Sequence, residues 1–189
     1  MIASVETVMR ATGRRLFAAA LMLLGTALAQ EPRVVATEAS VKAAFLYKFT
    51  GYVDWPPQAF ARPGTPVVIG VANGQAVGEA LEALVAGRSI AGRPVAVRHL
   101  GKGDSPRGVH LLFVGGGEPD RALIASAEKD GALVVTESAQ GLDAGSAINF
   151  VVSNGHVGFE VSLEAAGRSG LRISARMLAV ARRVVQKGA

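Results

Sequence analysis

The chain has 189 residues, half of them hydrophobic, with a formal net charge of +5 and no cysteine. Without a thiol there is no disulfide, no thiolate metal site and no acylated lipoprotein anchor. The charge is too mild to point to nucleic acid, and nucleic acid is not an expected partner.

The chain starts as an export signal does. Arg10, Arg14 and Arg15 precede an apolar run from Leu16 to Ala29, and Ala27-Leu28-Ala29 fits the small-x-small cleavage rule before Gln30. The run is shorter than the roughly 20 residues of a spanning helix. Residues 1–29 are therefore expected to be a cleaved signal peptide, leaving a periplasmic protein with no integral membrane segment. Cleavage removes three Arg and one Glu, which takes +5 to +3. Residues 30–37 read as a flexible leader, and 38–187 as a single domain long enough for one core.

From Glu38 to about Val53 the pattern is helical. VKAAFLYKFTGYVDWP (41–56) holds Phe45, Tyr47, Phe49, Tyr52 and Trp55, five of the ten aromatic residues. At about 100° per residue, Val41, Phe45, Leu46, Phe49, Tyr52 and Val53 share one arc, the expected core face. Lys42 falls inside that arc. It must either snorkel or meet a buried anion, because an unpaired buried ammonium is costly. Tyr47 points away from the arc, and Trp55 is pinned before two prolines. These two either pack on the following loop or are partner-binding aromatics.

Residues 56–66 form a Pro-rich loop. Val67–Ala72 reads as a buried strand and Gln75–Ala86 as a helix. Arg93–Leu100 alternates as a half-buried strand. Val109–Val114 is a buried strand that ends at three glycines, before a helix from Pro119 to about Lys129. Parallel α/β sheets bind ligands where strands hand over to helices, and a helix start favours an anion. Asn73, Gly74, Gly115, Gly116 and Gly117 are therefore candidate ligand turns. Plain Gly-rich turns are the alternative, since Asp120 stands where a dinucleotide fingerprint needs its last glycine.

Leu133–Thr136 is a short strand. Ile148–Val152 and Val157–Val161 flank Asn154-Gly155, the dipeptide of a two-residue hairpin. That turn pairs Ser153 with His156, Val152 with Val157, Phe150 with Phe159, Asn149 with Glu160 and Ile148 with Val161. One face is then apolar, and Asn149 and Glu160 oppose each other on the other. They form a solvated pair, or a structural one in which Glu160 meets Lys42 or Arg172. Leu163–Arg168 is a short helix closed by Gly170. Ser174–Gln186 reads as a last amphipathic helix. Its basic side carries Arg176 and Arg183, candidates for an acidic partner or anionic headgroups, or for plain solvation.

These elements describe an α/β sandwich: a mainly parallel sheet of about five or six strands with an antiparallel hairpin, and helices on both faces. There is no G-x-S-x-G, Walker or HExxH motif, and His99, His110 and His156 lie on separate elements. No catalytic residue, metal or cofactor is expected.

VKAAFLYKFTGYVDWP, VVIGV with its helix, INFV, and HVGFEVSLEAAGRSGLRISARMLAVARRV together resemble the YfiR-like family of periplasmic proteins, from about Val41 to Val185. The most specific parts are Trp55-Pro56, the hairpin from Ile148-Asn149-Phe150 to Phe159-Glu160, and Gly170-Leu171-x-Ile173-Ser174. The resemblance implies a non-enzymatic regulator. It would act as a homodimer that binds and represses the periplasmic domain of an inner-membrane diguanylate cyclase, in cyclic-di-GMP and biofilm signalling. Small-ligand binding, or service to a sensor kinase or outer-membrane receptor, is the alternative. The best-known member carries disulfides, so redox control by disulfides is excluded here. Gly158 stands where the motif expects a basic residue.

Overall fold

A computed structural model describes residues 36–186. The expected signal peptide and residues 30–35 lie outside the described residues. The fold is α/β, as expected. An eight-stranded mixed sheet runs β10-β8-β7-β6-β5-β2-β4-β3. Its strands are β2 (Val67–Ala72), β3 (Ser89–Ile90), β4 (Arg93–Leu100), β5 (Leu111–Val114), β6 (Leu133–Thr136), β7 (Ile148–Ser153), β8 (His156–Ser162) and β10 (Arg183–Val185). β2 pairs parallel with both β4 and β5, and β5, β6 and β7 follow in parallel. β7 and β8 form the antiparallel hairpin. A separate ribbon joins β1 (Val53–Asp54) to β9 (Arg172–Ile173). Five helices are described: α1 (Glu38–Gly51), α2 (Gln75–Val85), α3 (Arg121–Lys129), α4 (Leu163–Arg168) and α5 (Ala175–Leu178).

Strand alternation builds two cores. On one face Ile69, Val71, Leu111, Phe113, Leu133 and Val135 pack with Leu46 and Phe49 of α1 and Val77 and Leu81 of α2. On the other face Leu112, Val114 and Val134 pack with Ile124 and Ala127 of α3. Consecutive residues of one strand serve opposite cores, as the period of two requires. Among the described residues no helix is long and apolar enough to cross a membrane.

The hairpin register matches the sequence reading residue for residue, with Ile148 opposite Val161, Asn149 opposite Glu160 and Ser153 opposite His156. Asn154 (φ 52°) and Gly155 (φ 73°) supply the two positive dihedrals of the turn.

Two expectations fail. The last helix stops at Leu178, and Arg183–Val185 turns into β10, parallel to β8. Val184 and Val185 are β-branched, and the open edge of β8 offers ladder partners that overrule the helical period. With β3, this brings the sheet to eight strands rather than five or six. The buried arc of α1 is also rotated. Leu46, Phe49 and Val53 are buried as expected and Phe45 packs against the core, but Ala43 and Thr50 are buried as well, whereas Tyr52 is 41 % exposed. α1 is covered by α2 as well as by the sheet, so its small residues face inward. The helix ends at Gly51, and Tyr52 is its C-cap with φ −111°, outside the helical spacing.

Candidate functional site

Three surfaces carry the residues singled out from the sequence. The first lies at the carboxyl ends of the parallel strands. After β2 the chain reaches β4 on one side and then β5 on the other, which makes the gap between β2 and β5 a topological switch point. Asn73-Gly74 and Gly115-Gly116-Gly117 meet there. The gap is filled from within. Gly116 N–H donates to Glu137 Oε1 (2.8 Å), and Lys42 Nζ donates to Glu137 and to Glu38. A Cβ at Gly115 would lie 2.7 Å from the Asn73 carbonyl oxygen and 3.1 Å from Glu137 Oε1. The glycines are there because the two turns touch. Glu137 thus joins Lys42 to the Gly116 N–H, and an open pocket lined by Gly117, Glu118, Pro119 and Ser138 lies beside the turn.

Lys42 is 6 % exposed. Burial lowers its pKa, but the hydrogen bonds and charges of Glu137 and Glu38 outweigh this and hold it above the ordinary lysine value. The sequence-derived demand for a buried anion is met, though by Glu137 rather than Glu160. Glu160 instead forms a two-pronged ion pair with Arg183, at 2.8 Å on each oxygen. Their strands are in register, so the pair follows from β10. Asn149 is buried. Its Oδ1 accepts from Thr136 Oγ1 (2.8 Å) and Ser138 N–H (3.2 Å), tying the loop after β6 to β7. Gly141 permits that closure, since a Cβ there would fall 2.0 Å from Thr136 Oγ1.

The second surface surrounds Trp55. Its indole N–H donates to the Thr50 carbonyl (3.1 Å), and the ring meets Phe60 and His110. Tyr47 also turns inward. Its hydroxyl donates to the Ser89 carbonyl (3.3 Å), and Arg88 lies over its ring. Trp55 thus packs on the loop that follows it, whereas Tyr47 packs on the turn from α2 into β3 rather than on that loop.

The third surface is the outer face of α1 beside α5. Ser174 N–H donates to the Tyr52 carbonyl (3.0 Å), and β9 pairs with β1, which straps the C-terminal segment across the end of α1. Phe45, Phe49 and Phe159 meet at 4.9–5.7 Å between ring centres. With Met177 they floor a groove of about 200 Å³. Tyr52 and Val180 (69 % exposed) form its lips. Lys48 and Arg176 line its rim. Gly158 makes room for a cation, because a Cβ there would lie 2.1 Å from Arg182 Nε. Arg182 lies over that glycine, and its Nη2 donates to the His156 carbonyl (3.3 Å).

Sequence reasoning missed Glu137, Tyr52 and Val180. The Glu38–Lys42 pair was visible as an i,i+4 spacing. Nothing local marked Glu137, which is 95 residues from Lys42. Among the described residues no group of three His, Cys, Asp or Glu could hold a metal ion. No curated protein matches the chain. A family model described as YfiR/HmsC-like matches residues 39–182, a span that takes in α1, the sheet through β8, and the strap across Tyr52. The chain therefore belongs to the YfiR/HmsC-like family.

Proposed function

We propose that the chain is a periplasmic, non-enzymatic regulator that binds and represses the periplasmic domain of an inner-membrane diguanylate cyclase, and so lowers cyclic-di-GMP. Family membership supports the signalling role. The single observation that carries the docking mode is the open groove between α1 and α5. Its apolar floor is flanked by Tyr52 and Val180 and rimmed by Lys48 and Arg176. Exposed aliphatic and aromatic groups beside cations suit an apolar anchor flanked by carboxylates. The occupant we assign is therefore an acidic-flanked apolar segment of the cyclase's periplasmic domain. Homodimerisation and the cleaved leader belong to the same reading.

Deleting the coding sequence should raise cyclic-di-GMP in a strain that carries a neighbouring cyclase with a periplasmic domain. Restoring the protein as Val180→Asp should leave the level high. An unchanged level on deletion would sink the regulatory reading. Full repression by Val180→Asp would sink only the choice of face.

A further inference from the structure

His110 is an unexpected residue at the head of a buried strand. We propose that it is an acid-operated latch on the Pro-rich loop 56–66: protonating its imidazole releases the loop and remodels the surface around Trp55. Both ring nitrogens are committed to backbone groups. Val68 N–H donates to Nδ1 (3.1 Å), so Nδ1 carries a lone pair and the ring proton sits on Nε2. Nε2–H then donates to the Ala59 carbonyl (3.0 Å). Only the neutral ring in this tautomer satisfies both contacts. The imidazolium carries a second N–H, which would face the N–H of Val68.

The same ring stacks on Phe60, with centroids 4.7 Å apart and planes 14° apart. Arg93, on β4, covers Phe60 at 4.0 Å and donates to the carbonyls of Arg62 and Thr65. Trp55 meets both rings edge-on. The loop is thus held at Ala59 by His110, at 62 and 65 by Arg93, and by Phe60 between them. Little else holds it, since Pro57, Gln58 and residues 61–64 are exposed.

The charges around the ring favour release over tolerance of a second cation. Burial lowers the His110 pKa, the Ala59 carbonyl raises it, and the Arg93 charge lowers it, for a net value below the ordinary 6.5. Asp54 and Arg62 are the other ionisable side chains lining the groove of Trp55 and Phe60. Asp54 already faces Arg172 at 4.0 Å. Once His110 is protonated, swinging the ring out removes both the N–H clash and the repulsion. The loop then loses Ala59 and the stack on Phe60.

The latch can be read in the isolated protein, independently of any partner, because Trp55 is the only tryptophan. Its emission should change reversibly between about pH 8 and about pH 5, with a midpoint below 6.5, while far-ultraviolet circular dichroism stays constant. His110→Gln should abolish that change, and His99→Gln and His156→Gln should keep it. A change that persists in His110→Gln, or that is absent from the unmodified protein, overturns the proposal. Hydrogen exchange of the unmodified protein tests the same latch if His110→Gln fails to fold. Corrected for intrinsic rates, protection across 57–68 should fall by up to about tenfold per pH unit as pH drops from 6.5 toward the midpoint, with β5 and β6 unchanged. Uniform protection across these segments at all pH values also overturns it.

Discussion

The two ends of α1 are used in opposite ways. At its start, Lys42 enters the gap where an α/β sheet ordinarily receives a ligand, and Glu137 and Glu38 complete the charge balance there. At its end, Tyr52 is left outside the core, and with Val180 it frames a groove that nothing in the described chain covers. A site already filled by the protein's own carboxylate is architecture. An apolar floor rimmed by cations is where a partner gains by burying surface. The glycines at 115–117 mark the first end, and the second is the docking face proposed above.

The largest effect should come from emptying the filled end. Lys42→Met leaves Glu137 without its cation while its side chain remains only 18 % exposed. Breaking a fully buried pair costs about 3–5 kcal/mol, and the residual exposure of Glu137 reduces this to roughly 2–3 kcal/mol. A thermal melt should show Tm lower by roughly 4–12 °C. The double variant Lys42→Met/Glu137→Gln should recover much of the loss, because no buried charge is then left alone. A single variant as stable as the unmodified chain would mean that the strand-end charges are solvated, and the contrast between the two ends would collapse.

At the open end, the expected losses are in binding rather than folding. Tyr52→Ala and Val180→Asp should each weaken capture of the proposed partner, a cyclase's periplasmic domain, by about 30-fold or more, the scale of a hot-spot residue. Stability should move by no more than about 0.5 kcal/mol for Val180→Asp, as for other surface changes, and by about 1–2 kcal/mol for Tyr52→Ala, whose side chain is more than half buried. Arg176→Glu should act mainly on the association rate, and its effect should shrink in high salt. Calorimetry paired with melting curves separates the two quantities. Equal loss of both would place these residues in the core instead.

Acid should act on neither end but on the loop that follows α1. The folded-state pKa of His110 lies below its unfolded value of 6.5, so the unfolded chain binds more protons between the two values. The contribution of neutral His110 is complete above pH 6.5 and declines as pH falls from 6.5 toward the folded pKa. The slope cannot exceed about 1.4 kcal/mol per pH unit for one proton. Denaturant melts across that window should show the decline, and His110→Gln should flatten it. The Lys42 contribution has the opposite sign. Its raised pKa makes it constant through this window and lost only in strong alkali.

How much of this was legible in the sequence depended on how local the signal was. The β7–β8 register follows from period-two alternation and one Asn-Gly, both contained within fourteen residues, and it was read without error. That Lys42 needs an anion was also readable from its place among apolar residues. Which anion it meets was not, because Glu137 arrives through the order of β5, β6 and α1 in space. The misread end of the chain shows the same limit. Ser174–Gln186 carries a helical period, yet Arg182 N–H donates to the Phe159 carbonyl (2.8 Å) and the strand continues from there. An unfilled sheet edge overrode a local preference. Tyr52 was misplaced because a helical angle was carried one residue past Gly51.

β10 itself supplies the smallest test. Arg183 is exposed, its partner Glu160 is less so, and the guanidinium meets the carboxylate through both oxygens. The pair raises the Arg183 pKa through its hydrogen bonds and charge, yet water and salt screen it. Arg183→Gln should therefore leave Tm nearly unchanged at physiological salt. Its effect should be confined to the edge, as faster amide exchange across 183–185 with β7 and β8 still protected. A large drop in Tm would show that β10 is a structural closure of the sheet, comparable to the Lys42 cluster. A change confined to the edge would leave the charge that matters to stability at the start of α1, where Lys42 is buried and Arg183 is not.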